Sequence, residues 1–145
     1  MSLNCFEMIP GLWIGDIKSS RDNNLFRKSN IKCVINCEND FKYLLNEYNQ
    51  YDINLIKKES NLIKTFNYFN QVSEFINNNL KECKNILIFC NTGNQFSPTI
   101  GIIYLIKYGK IDKISAINFM LSKNENIFRD KIFLNTAIDF FCKKL

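Results

Sequence analysis

The chain of 145 residues contains no histidine. That absence excludes every mechanism that needs an imidazole base or ligand, including Ser-His-Asp and Cys-His hydrolysis and histidine-built zinc sites. Proline and glycine are scarce, at two and five, and no Pro/Gly/Ser-rich linker, repeat or composition break divides the sequence. Arginine occurs only at Arg21, Arg27 and Arg129. Long apolar runs are missing too. The longest apolar-rich stretch, 100–106, is far short of a membrane span, and the first residues do not form an apolar signal segment. Nineteen Lys and Arg against fourteen Asp and Glu give a net charge of +5. The excess is spread rather than gathered into a tail or stripe, so neither a nucleic acid nor a membrane surface is expected as a partner.

What is present reads as one domain over residues 1–145. Met1-Ser2-Leu3 is compatible with a cloning remnant, and a longer parent with additional domains stays open. Six cysteines, at 5, 33, 37, 83, 90 and 142, are scattered through a chain large enough to stabilise itself by its core, so a reduced, cytoplasmic protein is the expectation. Cys33 and Cys37 form the only close pair, but no second ligand pair accompanies them. Core packing is therefore their reading, and neither a metal nor a cofactor is expected. The 22 Asn and 21 Ile fit an AT-rich genome as well as any protein-level selection, so Asn77-Asn78-Asn79 carries no functional weight.

Short β-branched and apolar runs predict strands at 12–14, 31–37, 51–56 and 86–89, with a short helix started by Ser19 to Asp22 and carrying Leu25 and Phe26 between the first two. Phe66, Phe69, Val72, Ile76 and Leu80 recur at three and four residues, which predicts an amphipathic helix over 64–80. A buried helix over 98–108 follows, then two more over 112–121 (Ile114, Ile117, Leu121) and 129–142 (Phe133, Leu134, Ala137, Phe141). Strands alternating with helices imply an α/β fold, a mostly parallel central sheet flanked by helices.

The chemistry-bearing segment is the polar loop after the strand at 86–89: Cys90-Asn91-Thr92-Gly93-Asn94-Gln95-Phe96-Ser97, leading into Pro98 and a helix. Backbone N–H groups turning into a helix N-terminus converge on one spot and favour an anion there. A cysteine at the lip of such a nest has the same donors aimed at its sulfur.

This loop resembles the signature loop of cysteine-dependent protein phosphatases, His-Cys-x5-Arg-Ser/Thr, in its dual-specificity branch. Gly93, Ser97, Pro98 and Thr99 fit that register on Cys90, Ile9-Pro10-Gly11-Leu12-Trp13-Ile14-Gly15 is similar to the family's opening motif, and Asn30 to Asn36 is similar to its G-I-x-x-V-L-N strand. The resemblance implies a dual-specificity phosphatase-like fold, Cys90 as nucleophile, a phosphate-binding loop of Asn91, Thr92, Gly93, Asn94, Gln95 and Phe96, and Ser97 assisting departure of the thiolate. From the residues alone, Ser97 reads equally as the N-cap of the helix from Pro98. Counting back from Phe69, the family's general acid falls on Glu59, beside Lys58. A solvated loop carboxylate is its plainer reading. Trp13 matches a packing aromatic.

Two departures stand at the centre of the motif. Phe96 occupies the arginine's place and Phe89 the histidine's. The arginine chelates phosphoryl oxygens with a planar fork of donors, which phenylalanine lacks. Losing an arginine that stabilises phosphoryl transfer costs on the order of 10³–10⁵ in rate. The resemblance therefore implies a pseudophosphatase that binds a phosphorylated protein or other oxyanion ligand. An atypical, slow phosphatase using Cys90 and Glu59 is the alternative, and an interaction domain whose nest is plugged by Phe96 is the third.

Overall fold

In the computed structural model, residues 4–37, 49–52, 61–127 and 132–145 are described. Their strands are β1 (Cys5–Ile9), β2 (Leu12–Gly15), β3 (Ile31–Asn36), β4 (Asn49–Asp52) and β5 (Asn85–Phe89). The helices are α1 (Asn23–Lys28), α2 (Leu62–Lys81), α3 (Phe96–Lys107), α4 (Lys113–Lys123) and α5 (Ile132–Lys144), and one 3₁₀ turn spans Ser19–Arg21. The strand order is β1-β2-β5-β3-β4, with β1 antiparallel to β2 and the remaining pairs parallel. β5 lies between β2 and β3 and is buried along most of its length, which is why it reads as an unbroken apolar run rather than an alternating one.

Alternation along the strands sorts side chains to two faces. Cys33, Ile35, Cys37, Ile86, Ile88 and Cys90 join the larger core, with Phe69, Val72 and Ile76 of α2 and Ile100, Ile102 and Ile103 of α3. Val34, Leu87 and Phe89 join the smaller one, with Phe26 of α1. Phe141 of α5 meets both Phe66 and Phe69 of α2, at ring centroid distances of 5.5 and 5.7 Å. Cys33 and Cys37 are buried as core residues, and the Cys33 Sγ–H points at Asn79 Oδ1 at 3.2 Å.

Several boundaries differ from the sequence expectations. β1 was not foreseen; it is held by pairing with β2 across the Pro10-Gly11 turn, with a bulge between Glu7 and Ile9. β4 starts at Asn49, two residues before the expected 51, and 53–56 of that expected strand lie outside the described residues. The first helix does start from the expected Ser19 to Asp22 segment, at Asn23 on Asp22, whose carboxylate accepts from the Asn24 and Leu25 N–H groups, while Ser19 is engaged elsewhere. α3 begins at Phe96 rather than Pro98: proline is tolerated in a first turn, where its missing N–H has no intrahelical partner. The expected start of the last helix, Arg129, and the side chains of Phe133 and Leu134 lie outside what is described.

Candidate functional site

Cys90 follows directly on β5, and the strand ladder sets its place. The Cys90 N–H donates to the Gly15 carbonyl at 3.2 Å, and on the other side the Cys37 N–H donates to the Phe89 carbonyl at 3.0 Å. The cysteine is 2% exposed. Its sulfur accepts from the Gly93 N–H at 3.2 Å and stands 3.2 Å from Ser97 Oγ. Ser97 Oγ also donates to the Gly15 carbonyl at 3.1 Å. A serine hydroxyl has one proton to give. While that proton lies on Gly15, the cysteine S–H donates to Ser97. Ser97 is thus bound to the sulfur and the strand rather than capping α3, whose N-cap is Gln95 without a side-chain cap bond. The first turn is tied instead by Thr99, whose N–H and Oγ1 both donate to the Gln95 carbonyl, at 3.1 and 2.6 Å.

Gly93 is the turning point of the loop, at φ +76°, and a Cβ there would stand 3.0 Å from Asn4 Nδ2 and 3.1 Å from both the Asp16 nitrogen and the Gly15 carbonyl carbon. Only glycine meets both demands without strain. Asn91 and Thr92 are exposed, while Asn94, Gln95 and Phe96 are half-buried. The Asn94 N–H donates to Thr92 Oγ1 at 3.2 Å, a local turn that shapes the arc. Phe96 packs against the larger core. Phe89 is buried in the smaller core, on the sheet face opposite Cys90. Glu59, with Lys57 and Lys58, lies outside the described residues. Among the described residues no three Cys, Asp or Glu side chains gather as metal ligands, and no helix is long and apolar enough to cross a membrane.

The sequence reading missed the residues that hold the loop from outside: Asn4, the Gly15 carbonyl, Asp16 and Asn124. Asp16 is buried and accepts from the Ser19 N–H (2.9 Å), Ser19 Oγ (2.7 Å) and the Asn4 N–H (3.2 Å). The Ile17 N–H donates to the Asn91 carbonyl at 3.3 Å. Gly15-Asp16 directly after an apolar strand was the available signal, since a buried carboxylate needs donors. Nothing in the spacing of Asn4 or Asn124 pointed to a loop some ninety residues and thirty residues away respectively.

A sulfur buried at the end of a central parallel strand, under a loop that turns into a twelve-residue helix, is the arrangement of the cysteine-phosphatase fold. The model of the dual specificity phosphatase catalytic domain matches residues 12–142, and the chain belongs to that family. Among solved structures it is similar to a mouse putative dual specificity phosphatase complexed with zinc tungstate (TM-score 0.88, 11% identity, 100% of this chain and 90% of that one). It is also similar to a leucine rich repeat and phosphatase domain containing protein from Entamoeba histolytica (TM-score 0.82, 17% identity, 97% and 92%). A third is the human tyrosine phosphatase-like serine/threonine/tyrosine-interacting protein (TM-score 0.79, 18% identity, 95% of each chain). At these identities the likeness is one of fold.

Proposed function

We propose that the domain is a pseudophosphatase: a cytoplasmic phospho-protein-binding or scaffold module that holds a phosphoryl or other oxyanion group and turns it over at no more than a trace rate. The observation that carries this reading is the contrast within one loop. The Gly93 N–H and Ser97 Oγ remain on the Cys90 sulfur, while the side chain in the arginine's place, Phe96, packs on the core. In this reading the N–H groups of Asn91 to Phe96 cradle the anion above Cys90. The fold neighbour complexed with tungstate supports an oxyanion as the ligand class. Six cysteines with no disulfide among them fit a reducing compartment.

The Cys90–Ser97 contact favours a second reading, a slow phosphatase in which Cys90 attacks, Ser97 assists the departing thiolate and Glu59 is a weak acid. Hydrolysis of an aryl phosphate, with sodium tungstate binding measured by calorimetry on the same protein, separates the readings. The expected result is tungstate binding with trace hydrolysis. Turnover within about tenfold of ordinary phosphatases, lost in Cys90→Ser, would establish the enzyme instead. Neither binding nor turnover would leave the plugged interaction domain.

A further inference from the structure

The geometry points to Asn4 as the positioning residue of the oxyanion nest, a clamp that fixes the arc from Thr92 to Asn94 from outside the loop. This rests on the oxyanion-binding reading above. The carboxamide of Asn4 has two N–H donors, and both are spent on the loop: one on the Thr92 carbonyl at 2.6 Å, the other on Asn94 Oδ1 at 2.7 Å. Its Oδ1 accepts from Asn124 Nδ2 at 2.8 Å, and Asn124 Oδ1 in turn accepts from the Asn126 N–H at 3.0 Å. Its backbone N–H donates to the buried carboxylate of Asp16 at 3.2 Å. One side chain therefore joins the chain just before β1, the loop after β5 and the C-terminal end of α4.

The placement has a consequence for the ligand. Pulling on the Thr92 carbonyl and on Asn94 holds those two residues outward, and between them sits Gly93, whose N–H is thereby turned inward onto the Cys90 sulfur. An anion nest works only while its N–H groups face one point. In a loop without the histidine and arginine of the family motif, polar groups that hold the arc among the described residues include the Asn4 carboxamide on one side and the Gly15–Ile17 backbone on the other. Asn124 acts through Asn4, since it braces the Oδ1 end, while its Oδ1 accepts from the Asn126 N–H and its N–H donates to the Met120 carbonyl.

The test uses Asn4→Leu, which keeps the volume and removes both donors, Asn124→Ala, which removes only the brace, and the double variant. Amide hydrogen exchange over residues 91–95 reads the arc, calorimetry with sodium tungstate reads the nest, and thermal melts report folding. In Asn4→Leu, exchange over 91–95 should accelerate and tungstate bind roughly tenfold more weakly, the loss expected from two hydrogen bonds. Asn124→Ala should do the same to a smaller degree, and the double variant should be no worse than Asn4→Leu. Independent structural damage would add instead. Ile31→Val, a change in the smaller core where β3 pairs with Asn85 at the end of β5 opposite Cys90, should lower the melting temperature and leave both loop readouts alone.

Unchanged exchange in Asn4→Leu overturns the clamp. Faster exchange with parental tungstate affinity overturns its positioning role. If the parent itself binds no tungstate, the oxyanion reading falls while the clamp is still decided by exchange. Should Asn4→Leu fail to fold, Asn124→Ala decides alone: no acceleration over 91–95 overturns the proposal.

Discussion

At the scale of residues, two phenylalanines separate this chain from the family motif, and they are not equivalent. Phe89 is 1% exposed and fills the smaller core beside Phe26 and Leu87, so a polar residue there would have to be satisfied inside an apolar cluster. Phe96 is half-buried at the first position of α3. A longer polar side chain there reaches solvent and can fold back over the nest. Phe96→Arg is therefore the informative substitution. It should strengthen tungstate binding in calorimetry and raise aryl phosphate hydrolysis above the parent. The gain should fall below the 10³–10⁵ that an arginine supplies to phosphoryl transfer, because Phe89 still holds the histidine's place in the motif. A folded Phe96→Arg protein with unchanged affinity would mean that the loop does not adopt a phosphate-holding shape.

At the scale of elements, α1, α2 and α4 start where the side chain of Asp22, Asn61 or Asp112 accepts from free N–H groups, and hydroxyl residues follow whichever partner holds them more strongly. Ser19 is a good helix starter by type, yet its Oγ donates to the buried carboxylate of Asp16 at 2.7 Å, and Asp22 caps α1 by accepting from the Asn24 and Leu25 N–H groups at 2.9 and 3.1 Å. Asp22→Ala should destabilise the domain by about 1 kcal/mol. That corresponds to a fall of roughly 2–4 °C in melting temperature for a chain of this size. A thermal melt unchanged within a degree would place the cap's contribution elsewhere.

The same competition explains what the sequence made legible. Long periodic segments such as α2 and the apolar run of β5 were readable because one face or both faces are buried, and burial writes a pattern into residue types. The Cys90, Gly93 and Ser97 register was readable because each needs a particular side chain at a particular spacing. β1 escaped notice because a five-residue edge strand with a bulge carries little alternation, and the start of α3 because Gln95 caps it without a side-chain bond. The Asn4–Asn94–Asn124 links were invisible in a chain with 22 asparagines, where composition hides the three that matter.

At the scale of the whole molecule, folding takes several weak acids out of water and keeps them neutral. Burial pushes the Cys5 thiol up from its ordinary 9.0 to about 11, with Asp16 and Asp22 adding to the rise and a hydrogen bond to Ser19 opposing it. Burial raises Cys33 and Cys142 as well, and Tyr51 and Tyr104 among the phenols. Each of these groups holds its proton in the folded state to a higher pH than in the unfolded chain. Above about pH 9 the unfolded chain therefore releases protons that the fold retains, and the equilibrium moves toward unfolding. Cys5 contributes its full share below pH 9, loses it progressively as the pH climbs, and has lost it above about 11. Urea unfolding at pH 7, 9 and 10.5 should show stability level between the first two and falling to the third. Cys5→Ser, whose hydroxyl does not ionise in this range, should fall less steeply between pH 9 and 10.5. Parallel losses in parent and variant would assign the alkaline sensitivity to the remaining thiols and the two tyrosines rather than to the thiol at the head of β1.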